Sequence, residues 1–435
     1  MTWLSRAFVI VASAALFAAP HALAQDGEGG GDGEAPAAKP PDLFDQVDRK
    51  HTMSIKLPRS WKTVTGEDAT QGALATFAGF FGEEGKSPNG QVDFYTYGQF
   101  QRAGLARAVI LGQNGKVKPE SLSQGTGWCQ GCVFERNLAH WYRFVEKNAR
   151  VYVFVVHSHE KAYDTVRETV EHLLATATVP GEVTTPPLGD AFTKRKVGEY
   201  EVTSDADSSR DGSIKKACEL LSTARDLTAK ALPGKPFDAS KPAAWIFQNT
   251  TKFDDRAKAA GYGEVKFGFF NAPDRAAMVS ILGENAQGND EAVYSAGAGQ
   301  YLWQYFGGDP PVWVAIGLRE FAKAAAIGGG KKLQPELVTR VKSAIAAGKR
   351  RLDQWFDVAS SAEIKDDNQG ALELLGWHAY FRIGRGAKKL RKNYDGYLQS
   401  LRDSGDPAVA RKAFDGVNMD ELLQDFKAWG NDWKP

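Results

Sequence analysis

The sequence predicts an α+β chain of two domains, an N-terminal antiparallel sheet with packed helices and a larger helix-rich domain with a small sheet. Three observations carry that reading. The chain has 435 residues, enough for two domains at roughly 100–200 residues each. Between about residues 42 and 180, short alternating or β-branched runs dominate, with two helical stretches among them. From Glu291 onward apolar residues recur mostly at helical spacing.

Composition narrows the class. Hydrophobic residues make up 43% and charged residues 25%, the range of ordinary globular proteins, which excludes a largely disordered or collagen-like chain. A formal net charge of +1 excludes nucleic-acid binding by bulk charge.

The first element is an address. Arg6 precedes an apolar run from Ala7 to Ala19, Pro20 ends the run, and Ala22-Leu23-Ala24 offers small residues for cleavage. Residues 1–24 read as a secretory signal peptide. The run is shorter than the ~20 residues a bilayer span needs. The expectation is an exported protein, periplasmic or secreted, with no membrane span after cleavage. Residues 25–41, QDGEGGGDGEAPAAKPP, have nothing to bury and read as a flexible linker.

Residues 42–180 form the first domain. Met53-Ser54-Ile55-Lys56-Leu57 alternates and Pro58 ends it; Ala73–Phe81 and Val92–Tyr97 are further strands. Gln101–Leu111 is helical. Asn137–Val145 and Arg150–Val156 flank a polar turn as a hairpin, and Ala162, Val166, Val170, Leu173 and Leu174 mark a closing helix. The opening MSIKLPRSW resembles the start of PsbP/Mog1-type domains. Residues 181–197 read as a second linker, and residues 198–435 as the second domain. There Ile214–Leu232 is a helix ended by Pro233-Gly234, Ala243–Phe247 a strand, Thr250–Ala260 a helix, and Val265–Phe270 and Ala277–Leu282 strands.

Cys129 and Cys132 sit in Trp128-Cys129-Gln130-Gly131-Cys132. In an exported chain the expectation is a local disulfide. A thioredoxin-like redox pair and half of a zinc site remain as alternatives. His140, His157, His159 and His172 lie in the same domain, and His157-Ser158-His159, two imidazoles on one side of a strand, is the only metal-like grouping, without a supporting spacing rule. Cys218, on an apolar helical face, reads as a buried free thiol.

The informative stretch is AVYSAGAGQYLWQYFGGDPPVWVAIGLREFAKAAA, residues 292–326. It resembles the core of exported gluzincin, or peptidase MA-like, metallopeptidases, in which HExxH on one helix is followed by P-x-W-x-x-E-G-L-A-E-Y/F on the next. The resemblance implies a zincin-like fold over about residues 198–430. In that pattern two His one turn apart bind zinc, the intervening Glu is general base, and a Glu of the next helix completes the ligands. Pro311, Trp313, Gly317, Leu318, Glu320 and Phe321 keep the frame. The working positions hold Ser295, Ala296, Gly299 and Ile316 instead, so no metal or other cofactor is expected. Trp303, Trp313, Glu320 and His378 are candidates to line the former cleft. The basic run RIGRGAKKLRK, with Arg382, Arg385, Lys388, Lys389, Arg391 and Lys392, is a candidate anion-binding face. The expected function is non-catalytic binding or scaffolding, with an envelope or extracellular protein, a peptide or an acidic glycan as partner. A hydrolase using an unrecognised non-zinc site, or an adaptor acting through the N-terminal domain, are the alternatives.

Overall fold

The structure is a computed structural model. It describes residues 43–48, 53–82, 85, 88–97, 100–125, 127–147, 150–179, 192–259, 267–272, 274–281, 287–330, 333–358, 364, 369–384 and 387–434. The segments read as signal peptide and first linker, and most of the second linker, lie outside the described residues. Two compact units divide at Thr184/Thr185. No helix among the described residues is long and apolar enough to cross a membrane.

The N-terminal unit is an antiparallel sheet with packed helices. A hairpin of β1 (Leu43–Asp48) and β2 (Met53–Pro58) stands apart from a seven-stranded sheet. The sheet strands are β3 (Lys62–Val64), β4 (Ala75–Gly79), β5 (Gly90–Tyr97), β6 (Lys116–Gly125), β7 (Trp128–Glu135), β8 (Leu138–Lys147) and β9 (Arg150–His159). They lie in the order β3-β4-β5-β9-β8-β7-β6, every pair antiparallel. Aromatic and β-branched residues suit the long central strands, as in RVYVFVVHSH of β9. Arg136 and Asn137, both at positive φ, make the two-residue turn between β7 and β8, where a type I′ geometry matches the strand twist. The edge strand β6 carries Lys116, Lys118 and Pro119 and breaks register between Lys118 and Ser123, features that discourage edge-to-edge pairing.

Alternation along the strands sorts side chains onto two faces. One face carries Val92, Phe94, Phe154, Val156, Trp141 and Cys132, covered by Met53, Ile55 and Leu57 of β2 and by α2 (Tyr163–Ala175). Tyr163 stacks on Trp141 at 4.6 Å between ring centroids. On the other face α1 (Ala103–Asn114) buries Leu105, Ala106, Ile110 and Leu111. Each fully buried Leu or Ile among them is worth about 1.5–3 kcal/mol.

The C-terminal unit is helix-rich with a small sheet. Strands β10 (Thr193–Val197), β11 (Tyr200–Ser204), β12 (Ala243–Phe247), β13 (Gly268–Asn271) and β14 (Ala276–Ser280) lie in the order β10-β11-β12-β14-β13. The central three are parallel and both edges antiparallel. The end of the expected linker, 193–197, is therefore an edge strand of this sheet, because Thr193–Val197 pairs with β11. On one sheet face, Ile214, Ala217, Cys218 and Leu221 of α3 (Asp211–Lys230) share a core with Val293 and Ala296 of α5 (Gln287–Phe306). On the other, Phe253 and Ala257 of α4 (Thr250–Ala259) pack with Phe247, Phe269 and Met278.

Beyond the sheet lie α6 (Val312–Ile327), α7 (Pro335–Ala347), α8 (Leu352–Phe356), α9 (Gln369–Ile383), α10 (Lys388–Ser404), α11 (Pro407–Arg411) and α12 (Met419–Asp432). Small residues set their spacing. Ala224, Ala298 and Ala322 meet where α3, α5 and α6 converge. A Cβ at Gly297 would lie 2.6 Å from the Leu221 carbonyl oxygen, and one at Gly317 would enter the His378 ring and press on the Leu374 carbonyl. Both helix pairs approach too closely for any side chain there.

Alanine at Gly297 or Gly317 should therefore cost about 1–3 kcal/mol or more through overpacking. Gly212 is the control: a methyl group there would meet nothing within 4 Å, so alanine should leave stability unchanged or slightly raised. Urea unfolding of the three variants checks this, and equal stability for all three would refute the close-approach account.

Candidate functional site

Two places concentrate chemistry-bearing residues, one in each unit. In the C-terminal unit, Ser295 and Gly299 are one helical turn apart and share the half-buried side of α5. A Cβ at Gly299 would make ordinary contact, 3.5 Å, with Phe270 Cβ of β13. Ala296 instead turns into the sheet core at 2% exposure. Ile316 is buried on α6, where Ile316, Arg319, Glu320 and Lys323 recur at i, i+3, i+4 and i+7 and so form one stripe.

That stripe is charged. Lys323 Nζ lies 2.5 Å from Glu320 Oε2, and Arg319 lies 3.9 Å from Glu320 Oε1. Burial works to raise the Glu320 carboxyl, but the Lys323 and Arg319 cations outweigh it and hold it below the ordinary range. Asp309, in the loop before α6, is pushed up to about 7 by burial, with the Arg319 guanidinium pulling the other way. Sequence reasoning singled out Glu320 alone; its partners became visible once the helix placed them on one side.

The other cleft-lining candidates require correction. Trp303, Trp313 and His378 are 1%, 0% and 0% exposed. Trp313 donates its indole N–H to Tyr397 Oη at 3.2 Å and stacks on His378 at 5.1 Å. His378 Nε2 donates to the Trp313 carbonyl at 3.2 Å, and Nδ1 is hydrogen-bonded to the Tyr394 hydroxyl. Both ring nitrogens are occupied, and burial drives the imidazole down to about 3. Trp313 and His378 fill a core closed by Tyr394 and Tyr397 of α10, whereas Trp303 packs against Phe270 of β13.

The basic run is partly structural as well. Arg382 pairs with Asp395 at 2.6 Å. Arg391 donates to the Phe381 and Arg382 carbonyls, satisfying the last turn of α9. Arg391 is thus committed to the α9 terminus, while Arg382 keeps Nε and Nη2 buried without a hydrogen-bond partner among the described residues. Lys392 is exposed; Arg385 and the side chains of Lys388 and Lys389 lie outside the described residues. A second buried acid, Glu373, accepts from the Trp355 indole at 3.1 Å. Burial pushes it up to about 7 against the Trp355 and Trp377 indoles and the nearby Arg350 and Lys427.

The expected Cys129–Cys132 disulfide is also corrected, whereas Cys218 is the buried free thiol expected. Cys129, Cys132 and Cys218 are buried thiols. The motif lies within β7, and an odd spacing on a strand sends the two side chains to opposite faces. Cys132 joins the face covered by α2. Cys129 shares the face of Gly131, where a Cβ would meet Leu111 of α1. No rotamer bridges a sheet in that way, and a strand offers no helix N-terminus to activate a thiolate.

The N-terminal unit holds a buried polar chain. His140 Nδ1 and His157 Nδ1 are 2.6 Å apart, and His157 Nε2 is 3.0 Å from Asp93 Oδ2. Asp93 also accepts from Thr70 Oγ1 at 2.9 Å and from Gln91 Nε2 at 3.0 Å. Gln91, Asp93, His140 and His157 are all buried. Register explains the juxtaposition: Gln91 pairs with His157, and His157 with His140. This is a line of hydrogen bonds and not a convergent ligand set, since two nitrogens on one tetrahedral zinc stand roughly 3.3 Å apart. His159 and His172 are exposed and take no part. Among the described residues no group of three or more His, Cys, Asp or Glu is arranged to hold a metal. Burial, followed by the neighbouring His157, drives His140 down to about 3, opposed by the Glu135 carbonyl.

These shifts make the two units respond oppositely to acid. His140 and His378 have folded values of about 3 against an ordinary 6.5. The unfolded chain takes the proton first, so the stability each contributes above pH 6.5 is lost as pH falls toward 3. Asp309 and Glu373 have folded values of about 7 against 3.8 and 4.5. Their contribution is full at low pH and lost as pH rises through 7. From pH 7 to 5 the N-terminal unit should lose about 2 kcal/mol through His140, while two acids against one histidine stabilise the C-terminal unit. Calorimetry of the full chain across this range should show one transition falling and one rising; both moving together would contradict the assignment.

No family model matches the chain, and no curated protein matches it. Solved structures of low similarity resemble the N-terminal part weakly. Cyanobacterial PsbP from Synechocystis sp. PCC 6803 is 11% identical, covering 34% of this chain and 98% of its own, with a TM-score of 0.25. The Ran-binding protein Mog1p of Saccharomyces cerevisiae is 9% identical, covering 32% and 96%, with a TM-score of 0.25. LpqN, involved in cell envelope biogenesis of Mycobacterium tuberculosis, is 10% identical, covering 32% and 91%, with a TM-score of 0.22. The metallopeptidase reading of the C-terminal unit accordingly rests on this chain's own residues.

Proposed function

We propose that this is an exported, non-catalytic binding or scaffolding protein whose C-terminal unit keeps the frame of a gluzincin-type peptidase without its chemistry. One observation carries the reading. Ser295, Ala296, Gly299 and Ile316 occupy the four working positions of the resembled motif, and three of them offer no side-chain donor to a metal. The hydroxyl of Ser295 is a weak ligand on its own. The buried, doubly hydrogen-bonded His378 weakens the competing hydrolase reading, because it has no nitrogen left for a substrate proton. The partner would be a peptide, an acidic glycan or a protein of the envelope or outside it.

Zinc restoration tests the frame. Ser295→His, Gly299→His and Ile316→Glu together should bring stoichiometric zinc into a protein that binds none as isolated, measured by elemental analysis after dialysis. Adding Ala296→Glu tests the general-base position separately, since that side chain enters an apolar core. Stoichiometric, chelator-sensitive zinc with proteolysis in the unmodified protein would sink the proposal. A folded triple variant that takes up no zinc would sink the frame.

A further inference from the structure

The α2-covered face of the seven-stranded sheet sorts charge in one direction. Following the register, the charged strand residues on that face are Lys116 and Lys118 of β6, Arg143 and Lys147 of β8, and Arg150 of β9. Outside the register break at 119–122, no described strand residue on this face is acidic. The strand acids Asp93, Glu135 and Glu146 belong to the opposite face.

At the Lys147–Arg150 end the face is incompletely covered: Thr96, Trp128, Gln130, Arg143, Val145 and Arg150 are half-buried and Lys147 is exposed. Arg143 lies over the Trp128 ring at 4.0 Å and donates from Nη1 to Gln130 Oε1 at 3.1 Å. Its Nε is buried without a hydrogen-bond partner among the described residues. Burial lowers its guanidinium from the ordinary value, with Cys129 pulling the other way and no described carboxylate contributing. Two neighbouring hydroxyls are in the same condition. Tyr152, 1% exposed, and Thr96 pair directly across β9 and β5, and Tyr152 Oη and Thr96 Oγ1 are both buried and partnerless among the described residues. Tyr152 is one diagonal step from Arg143, within reach of long side chains.

A desolvated cation without a counter-charge and two unsatisfied buried hydroxyls on adjoining positions ask for a missing acceptor. We propose that this end of the sheet face binds an oxyanion, a carboxylate or phosphate group. Arg143, held flat on Trp128, turns its free Nε edge to the anion as a two-pronged donor. Tyr152 and Thr96 donate from the floor, and Lys147 and Arg150 supply the surrounding positive field. The site lies in the N-terminal unit and is independent of the C-terminal reading.

The probe is inorganic phosphate, with acetate as the carboxylate arm and chloride at matched ionic strength as control. On the full chain, labelled for amide, indole and arginine Nε resonances, phosphate or acetate should shift Arg143 Nε–H and the Trp128 indole saturably in the millimolar range. Arg143→Lys, which keeps charge and loses the fork, should weaken this roughly tenfold. Lys147→Glu with Arg150→Glu, both at the rim, should weaken it severalfold with folding intact by circular dichroism. Saturation by one oxyanion alone supports the site and names its source. Shifts no larger than with chloride would overturn the proposal, as would full retention in Arg143→Lys, because the acceptor would then be water.

Discussion

The C-terminal unit depends on how closely α5 can approach its neighbours. Gly297 lies against the α3 backbone at Leu221, Ala298 meets Ala224 and Ala322, and Ala296 joins the sheet core. The run Ser-Ala-Gly-Ala-Gly at 295–299 is thus under a packing constraint as well as being bare of ligands. Over that run, a helix pressed against a sheet and two other helices tolerates only small side chains toward those neighbours. The other side of the run, with Ser295 and Gly299, is half-buried.

The same unit shows how polar groups are accommodated when cores are aromatic. Trp313, His378, Tyr394 and Tyr397 form a stacked, hydrogen-bonded group. Satisfied networks of this kind rigidify a core, and the low interior dielectric makes each bond costly to lose. The consequence for function is that the one histidine of this unit is committed to structure, while the α6 stripe gathers Arg319, Glu320 and Lys323 on one side.

Much of the secondary structure is legible in the sequence. The strand Ala243–Phe247 reads with its observed bounds, and the helices α1, α2 and α3 within a few residues. These elements carry strong local signals, a β-branched run or a clean apolar stripe. The strands around the cysteines are less legible. β6 and β7 are polar, glycine-bearing and bulged, so their pairing rather than their composition makes them strands. That one difference turns an expected disulfide into two thiols on opposite faces.

What the sequence by itself determined is the α+β class, the strongly patterned strands and helices, and the absence of His or acidic side chains at 295, 296, 299 and 316. Those follow from local periodicity and residue identity. Only the tertiary structure decided which polar residues share an environment. Asp93, His140 and His157 are spread over 64 residues and meet through strand register; Arg143, Tyr152 and Thr96 come together the same way. Trp313 and His378 are core because α10 closes over them, and Trp303 because β13 does. Register and closure are long-range outcomes, fixed by which chains of contacts bury the most apolar surface, and no window of sequence contains them.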